Sequence, residues 1–264
     1  AAARQAAVQA LCPGSDVAAL LDKPNNNLAV EYCKAIIEQN VEMQPIALPR
    51  QGADHGQALT ESAHAAFASA SALRTLWAEG GAAALAPYVP EKALKLYIMA
   101  EYDGKYTDFA VMGHCELALL RAACAGQAPF AAVRGVSEGL EHRLENAVRE
   151  TASLPALLDA LTTVRYPRAR MRRLAMDAAL GYTAQTPALP PYLHLLGARK
   201  EALPLPGETA LPLSHSLARL ARENGTCTQM AAAQSRASDL GALCRAKPEP
   251  MGGIYRQKII FLTN

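Results

Sequence analysis

Two stretches of this sequence carry residue types that could do chemistry. The first is Lys23-Pro24-Asn25-Asn26-Asn27, which runs straight into an amphipathic helical pattern. Proline fixes one backbone dihedral and biases Lys23 toward an extended conformation, so the turn is set before the helix begins. Three successive Asn can cap the first-turn amides through their side-chain carbonyls and still have donors to spare. A helix N-terminus dressed with amides suits an anionic or nucleotide ligand, and an ordinary Asn-capped helix is the other reading of the same residues. The second stretch is Arg165-Tyr166-Pro167-Arg168-Ala169-Arg170-Met171-Arg172-Arg173, five guanidinium groups in nine residues across a helix start. Such a run is either a solvated face or an anion-binding one. Its position at the positive end of a helix dipole is unfavourable, and an RNA phosphate backbone would relieve the conflict, with Tyr166 available to stack on a base.

Other polar constellations are less specific. Glu141-His142-Arg143 reads as an acid and base pair or as a surface salt bridge. Ser214-His215-Ser216 matches a nucleophile and its base in composition alone, because neighbours on a strand point to opposite faces. His114-Cys115 reads as a core position without a third metal ligand. The loop Gln51-Gly52-Ala53-Asp54-His55-Gly56 follows Arg50 and carries an acid and a histidine. Ser69, Ser71 and Arg74 sit where small residues and hydroxyls open a helix, with Arg74 one turn in. The chain contains no P-loop, no G-x-G-x-x-G and no G-x-S-x-G. Its six cysteines, at 12, 33, 115, 124, 227 and 244, form no C-x-x-C pair and read as reduced thiols.

The elements that must position these residues follow from periodicity and breakers. Residues 1–11 read as an Ala-rich helix and Ser15 as the cap of a short one to Leu21. Leu28, Tyr32, Ala35 and Ile36 give the helix after the Pro-Asn turn a stripe that should be buried. Met43–Leu48 is the strand candidate of the first third, confined to an edge by Pro45. From about residue 82 successive helices follow: one opened by Pro90, one over 107–123 with Phe109, Met112, Leu117, Leu119 and Leu120 mainly as core, and one after Ser137-Glu138-Gly139 with Leu140, Leu144, Ala147 and Val148. Two more run over 153–164 and from Pro167, the last with Met171, Leu174, Ala175 and Ala178 inward. Tyr192–Leu196, Leu211–Leu213 and Ile254–Leu262 are short strand candidates around a helix over 226–243. The expected fold class is therefore α/β and helix-rich, with a first domain over 1–81, a helical domain over 82–264 and a small terminal sheet.

Hydrophobic residues make up 51% and charged residues 19% of the 264, a globular composition. The net charge of +2 confines any nucleic-acid surface to a local patch. No apolar run approaches the ~20 residues needed to span a bilayer and no signal peptide is visible, so a cytoplasmic protein without a membrane partner is expected. The opening Ala1-Ala2-Ala3-Arg4, in mid-helix pattern and without Met, reads as a fragment or a processed piece. Oligomeric state is not legible.

Taken together, Lys23-Pro24-Asn25-Asn26, Met43-Gln44-Pro45 with Arg50, Ser69-Ala70-Ser71-Ala72-Leu73-Arg74, Glu138-Gly139-Leu140-Glu141-His142-Arg143 and Arg165-Tyr166 resemble, in order and spacing, the tRNA(Met) cytidine acetate ligase family. The similarity reaches Tyr192-Leu193-His194-Leu195-Leu196-Gly197 and weakens after about residue 200. The resemblance implies a Rossmann-like nucleotidyltransferase domain joined to a helical domain. It also implies use of ATP, with Mg2+, to activate acetate as acetyl-adenylate, and acetylation of the wobble cytidine of elongator tRNA(Met). It implies ATP contacts at Asn25 and Arg50, with Ser71 and Arg74 as weaker carry-overs; with tRNA as substrate, the anion-binding face read from the charge placement of Arg165, Arg168, Arg170, Arg172 and Arg173 is expected to be part of the tRNA surface. The family's H-x-G-H signature is not in this chain, so the resemblance further implies a latter part of such a protein that is inactive alone. A non-catalytic RNA-binding helical module is the alternative.

Overall fold

A computed structural model describes residues 2–48, 68–202 and 209–262, and the chain divides into two compact units, Ala1–Arg74 and Thr75–Asn264. In the first unit, helix α1 (Ala2–Leu11) is followed by a 3-10 turn (Ala18–Asp22) and helix α2 (Pro24–Glu38). Lys23 is extended at φ −96 and ψ 131, as a residue before proline should be, and Pro24 occupies the first turn of α2, where its missing amide costs nothing. The three asparagines do not cap the helix as expected. They lie inside its first turn, and the residue before the helix, Lys23, makes no side-chain cap. Asn26 Nδ2 instead donates to Leu20 O at 2.8 Å, and Asn27 Nδ2 donates to Leu21 O at 2.6 Å and Lys23 O at 3.2 Å. The amides thus fasten the 3-10 turn to α2. Arg4 of α1 pairs with Glu31 of α2. Buried apolar positions described in this unit are Ala18 and Leu21. The expected stripe of α2 is covered only in part: Ala35 and Ile36 are half-buried, while Leu28 and Tyr32 are 53% and 63% exposed.

Residues 41–48 form no strand, which corrects the expectation for Met43–Leu48. Pro45 removes a ladder donor, and no strand among the described residues lies alongside to supply partners. The Gln51–Gly56 loop lies outside the described residues.

Helix α3 (Ala70–Gly80) spans the division between the units. In the second unit, α4 (Glu91–Tyr102), α5 (Phe109–Ala123), α6 (Leu140–Glu150), α7 (Leu154–Leu161) and α8 (Arg168–Leu180) make the helical body. Its starts are written in side chains: Asp108 accepts from the amides of Ala110 and Val111, and Ser153 accepts from that of Ala156. Ser137 does not cap α6. The preceding residue of that helix is Gly139 at φ 80, and Glu138 before it is also left-handed at φ 57. The main core gathers Leu117 and Leu120 of α5, Leu140, Leu144 and Val148 of α6, Leu157 and Leu161 of α7, and Met171, Leu174 and Ala175 of α8 around Phe130. Phe109 and Leu119, expected inside, are 71% and 41% exposed. Exposure at both leaves α5 with a narrower apolar face than its composition suggests.

The tryptophan Trp77 anchors the start of this unit. Its ring meets Tyr97 edge-on at 5.3 Å and Tyr106 at 6.2 Å, and its indole N–H donates to Glu101 at 3.0 Å. Glu101 also accepts from the Ala82 amide at 3.1 Å. Toward the end of the chain, β1 (Leu193–His194) pairs in parallel with β3 (Leu213–Ser214), and β2 (Gly197–Arg199) with β4 (Ile260–Leu262). Helices α9 (Leu217–Leu220) and α10 (Gly225–Leu243) pack with Tyr192 in a second core of Leu217, Leu220, Cys227 and Ala231. The molecule is helix-rich α/β with small parallel pairings at its end.

Candidate functional site

The residues singled out from the sequence fall in two groups, one in each unit apart from Arg50. In the first unit Asn25 stands in the opening turn of α2, exposed, and its amide makes no hydrogen bond among the described residues. It differs in this from Asn26 and Asn27, whose amides are spent on the preceding turn. The free amide lies at the end of a 15-residue helix whose first amides have no side-chain cap, where partial positive charge favours an anion. Ser69 is 1% exposed and starts α3, accepting from the Ala72 amide at 3.2 Å, with its hydroxyl 3.2 Å from that of Ser71. Arg74 follows one turn in and is exposed. Arg50 lies outside the described residues.

In the second unit the arginine run opens α8, with Pro167 as the residue before the helix and Arg168 its first residue. The charge conflict expected there is partly answered by the protein's own acids: Arg165 pairs with Glu138 and Arg168 with Asp159. Arg170 lies over the Tyr166 ring at 5.1 Å, and Arg165 over the same ring at 5.6 Å. Arg172 and Arg173 are exposed and make no ion pair or hydrogen bond among the described residues. The run therefore divides into two guanidiniums held by carboxylates, one packed on an aromatic ring and two open to solvent.

Beside this face is a pocket of about 470 Å³ whose lining includes Glu138, Arg143, Asn146, Ala147, Glu150 and Tyr166. Tyr166 donates through its hydroxyl to Glu138 at 3.4 Å, and Arg143 is tethered by one nitrogen to Ala160 O at 2.7 Å. Sequence reasoning reached Glu138, Arg143 and Tyr166 and missed Asn146 and Glu150. The i, i+3, i+7 spacing from Arg143 puts all three on one side of α6, a signal present in the sequence. Glu141-His142 is a surface contact, with His142 Nε2 3.8 Å from Glu141. His114 is exposed and not in the core, its Nδ1 2.9 Å from Ala110 O beside a smaller apolar pocket of about 290 Å³. Ser216 is the cap of α9, accepting from the Arg219 amide, and so has a structural task.

One residue with no sequence signal is Glu116. It is 2% exposed on α5, with Oε1 unpartnered among the described residues. Burial pushes its carboxyl up from 4.5 to about 7, opposed by the charge of Arg172 on α8. Among the described residues no group of three or more His, Cys, Asp or Glu could hold a metal ion, and no helix is long and apolar enough to cross a membrane.

A helix opened by Pro24 and three asparagines, a hydroxyl-capped helix with an arginine one turn in, and a following helical body are the features to be set beside known proteins. The chain belongs to the HIGH nucleotidyl transferase family, whose profile matches residues 1–249. Among its relatives, the tRNA(Met) cytidine acetate ligase of Listeria monocytogenes serotype 4b is 31% identical over 183 residues, 69% of this chain and 45% of that protein. That of Geobacillus sp. is 29% identical over 188 residues, covering 67% of this chain and 45% of its own length. In fold, the chain matches the crystal structure of Thermotoga maritima TmcAL (apo, form I) with a TM-score of 0.77 at 20% identity, covering 92% of this chain and 62% of that one. The same protein bound with alpha-thio ATP matches with a TM-score of 0.77 at 19% identity, over 94% and 62%. The chain thus spans about 45% of the length of the curated relatives it matches.

Proposed function

We propose that this chain is the latter part of an ATP-dependent ligase that activates acetate as acetyl-adenylate and N4-acetylates the wobble cytidine of elongator tRNA(Met). The observation that carries the reading is the unpartnered Asn25 amide in the first turn of α2, within the Lys-Pro-Asn-Asn turn that resembles the family's ATP contact. Relatives bearing the ligase name and a fold neighbour with a bound ATP analogue support it. In this reading residues 1–81 are the carboxy-terminal part of the nucleotidyltransferase domain and residues 82–264 the helical domain. Asn25, Arg50, Ser71 and Arg74 contact ATP, whose phosphates bring Mg2+. Arg165, Arg168, Arg170, Arg172 and Arg173 form the tRNA surface, and the protein works in the cytoplasm.

The chemistry is two balanced substitutions. An acetate oxygen attacks the α-phosphorus of ATP and pyrophosphate leaves; the cytidine N4 then attacks the acetyl carbonyl, AMP leaves, and N4 loses one proton. This chain's residues contribute binding and orientation, since the histidines of the H-x-G-H signature, which would stabilise the pentavalent phosphorus, are not among them. A non-catalytic RNA-binding module is favoured instead only by the two open guanidiniums of Arg172 and Arg173. The test joins this chain to a segment carrying H-x-G-H and supplies ATP, labelled acetate and elongator tRNA(Met). Label recovered as N4-acetylcytidine at the wobble position is expected; RNA binding with no label transfer would leave the module reading in its place.

A further inference from the structure

We propose that the pocket lined by Glu138, Arg143, Asn146, Glu150 and Tyr166 receives an unpaired, amino-bearing nucleobase, adenine, cytosine or guanine, of the RNA held by the arginine face. The proposal rests on the RNA-surface reading given above. At about 470 Å³ the pocket lies in the size range of small-ligand sites. Leu140, Ala147 and Ala160 contribute apolar lining, which suits the faces of a flat ring. The remaining lining holds complementary hydrogen-bonding groups. The Asn146 amide and the Glu150 carboxylate make no hydrogen bond among the described residues, and Arg143 commits one nitrogen to Ala160 O and keeps other donors. Glu138 uses Oε2 for Arg165 and for the Tyr166 hydroxyl, which leaves its other oxygen free to accept.

Two carboxylates beside an arginine and an amide select a ligand that offers both N–H donors and acceptors on one edge. An exocyclic amine next to a ring nitrogen fits best because it brings two N–H donors to two carboxylates, and uracil, which offers one N–H between two carbonyl acceptors, is disfavoured. The pocket is also in the right place for an RNA base. Tyr166 belongs to both the pocket and the arginine run, with Arg165 and Arg170 over its ring, so a backbone tracked by those arginines passes the pocket mouth. Single-stranded bases in loops splay out from such a backbone and are read on their edges. Glu138, which lines the pocket, holds a left-handed backbone at φ 57, uncommon for a residue with a side chain.

The test uses the full chain and a transfer RNA transcript in which each anticodon-loop nucleotide in turn is made abasic. Asn146→Ala and Glu150→Gln, both at exposed positions, should keep the wild-type melting temperature. Each should bind the intact RNA roughly tenfold more weakly, with an unchanged salt slope, as expected for a lost base-edge contact. One abasic position should weaken the wild type by about as much and cost the Asn146→Ala protein nothing further. Wild-type affinity in both variants, or the absence of any such coupled position, overturns the base pocket while leaving the arginine face intact. No RNA binding by the wild type overturns the RNA-surface reading and this proposal together. Titration with free CMP and AMP is the remaining arm: tight binding that the variants abolish, without a coupled position in the RNA, would make this a mononucleotide site and refute the proposal.

Discussion

Residues at this scale differ in what they give up to be where they are. Glu116 is buried with an unpartnered oxygen, and its carboxyl is raised to about 7. A folded state that holds a proton more tightly than the unfolded chain loses stability as pH rises between the two values, here from about 4.5 to about 7. Glu116→Gln removes the titration. It should leave stability near pH 4.5 unchanged, and raise it at pH 8 by at most about 3 kcal/mol, in urea melts at the two values. Equal effects at both values would mean that the carboxyl titrates normally. Asn25 is the contrasting case, since it holds nothing together. In the ligase reading, and in the protein restored with an H-x-G-H segment, Asn25→Ala should weaken ATP use by about 1 kcal/mol and Arg50→Ala by about 1.5–3 kcal/mol, because a charge-assisted hydrogen bond is the stronger. Unchanged apparent ATP affinity in both variants would remove these residues from the site. The sequence made Asn25 legible because proline and amides announce a turn. Glu116 was invisible, because a single acid in a helical pattern says nothing about which helix will cover it.

At the scale of elements, the helix start capped by Ser153 was readable while that of α9, capped by Ser216, was not, and inward faces were readable on α6 and α8, whose apolar residues keep strict helical spacing. The failures share a cause. Phe109, Leu119 and, on α2, Leu28 and Tyr32 are apolar residues whose burial depends on a neighbouring element, and periodicity within one helix does not supply that neighbour. The strand expected at Met43–Leu48 failed in the same way, for want of an edge to pair with among the described residues. Helix α8 illustrates a division of labour within one element. Its inward side is core, while its first two turns carry the arginines. Replacing Arg170, Arg172 and Arg173 together by Ala should flatten the slope of log affinity for tRNA against log salt by roughly two to three units. Arg172 and Arg173 are exposed and the Arg170 contact with the Tyr166 ring is worth only about 0.5–1 kcal/mol, so the melting temperature should stay near wild type at pH 5, where Glu116 is protonated. Above pH 7 the variant should melt lower, because Arg172 no longer offsets the buried Glu116 charge. Loss of melting temperature at pH 5 with an unchanged salt slope would favour a scaffold role for these arginines.

For the molecule as a whole, the family and fold class were legible from motifs in register, since each motif carries a local physical task that survives at low identity. In the ligase reading, the division of catalytic labour follows from what the chain contains. Without the H-x-G-H histidines, this chain alone should form no acetyl-adenylate, because electrostatic stabilisation of the transferring group is usually the largest catalytic term. Acetate-dependent exchange of labelled pyrophosphate into ATP above an enzyme-free control would contradict this.

The chain has one tryptophan, and every partner found for it, Tyr97, Tyr106 and Glu101, belongs to the same unit. Trp77 is therefore a built-in optical probe with a known address. Its emission should shift to the red when the packing of α3 against α4 is lost, and should stay silent while α1 and α2 melt. The cores described in the two units make that distinction useful: among the described residues the first buries the apolar Ala18 and Leu21, the second a cluster that includes Phe130. Circular dichroism of the whole chain should begin to fall at lower urea than the fluorescence does. Coincident curves would instead report a single cooperative molecule.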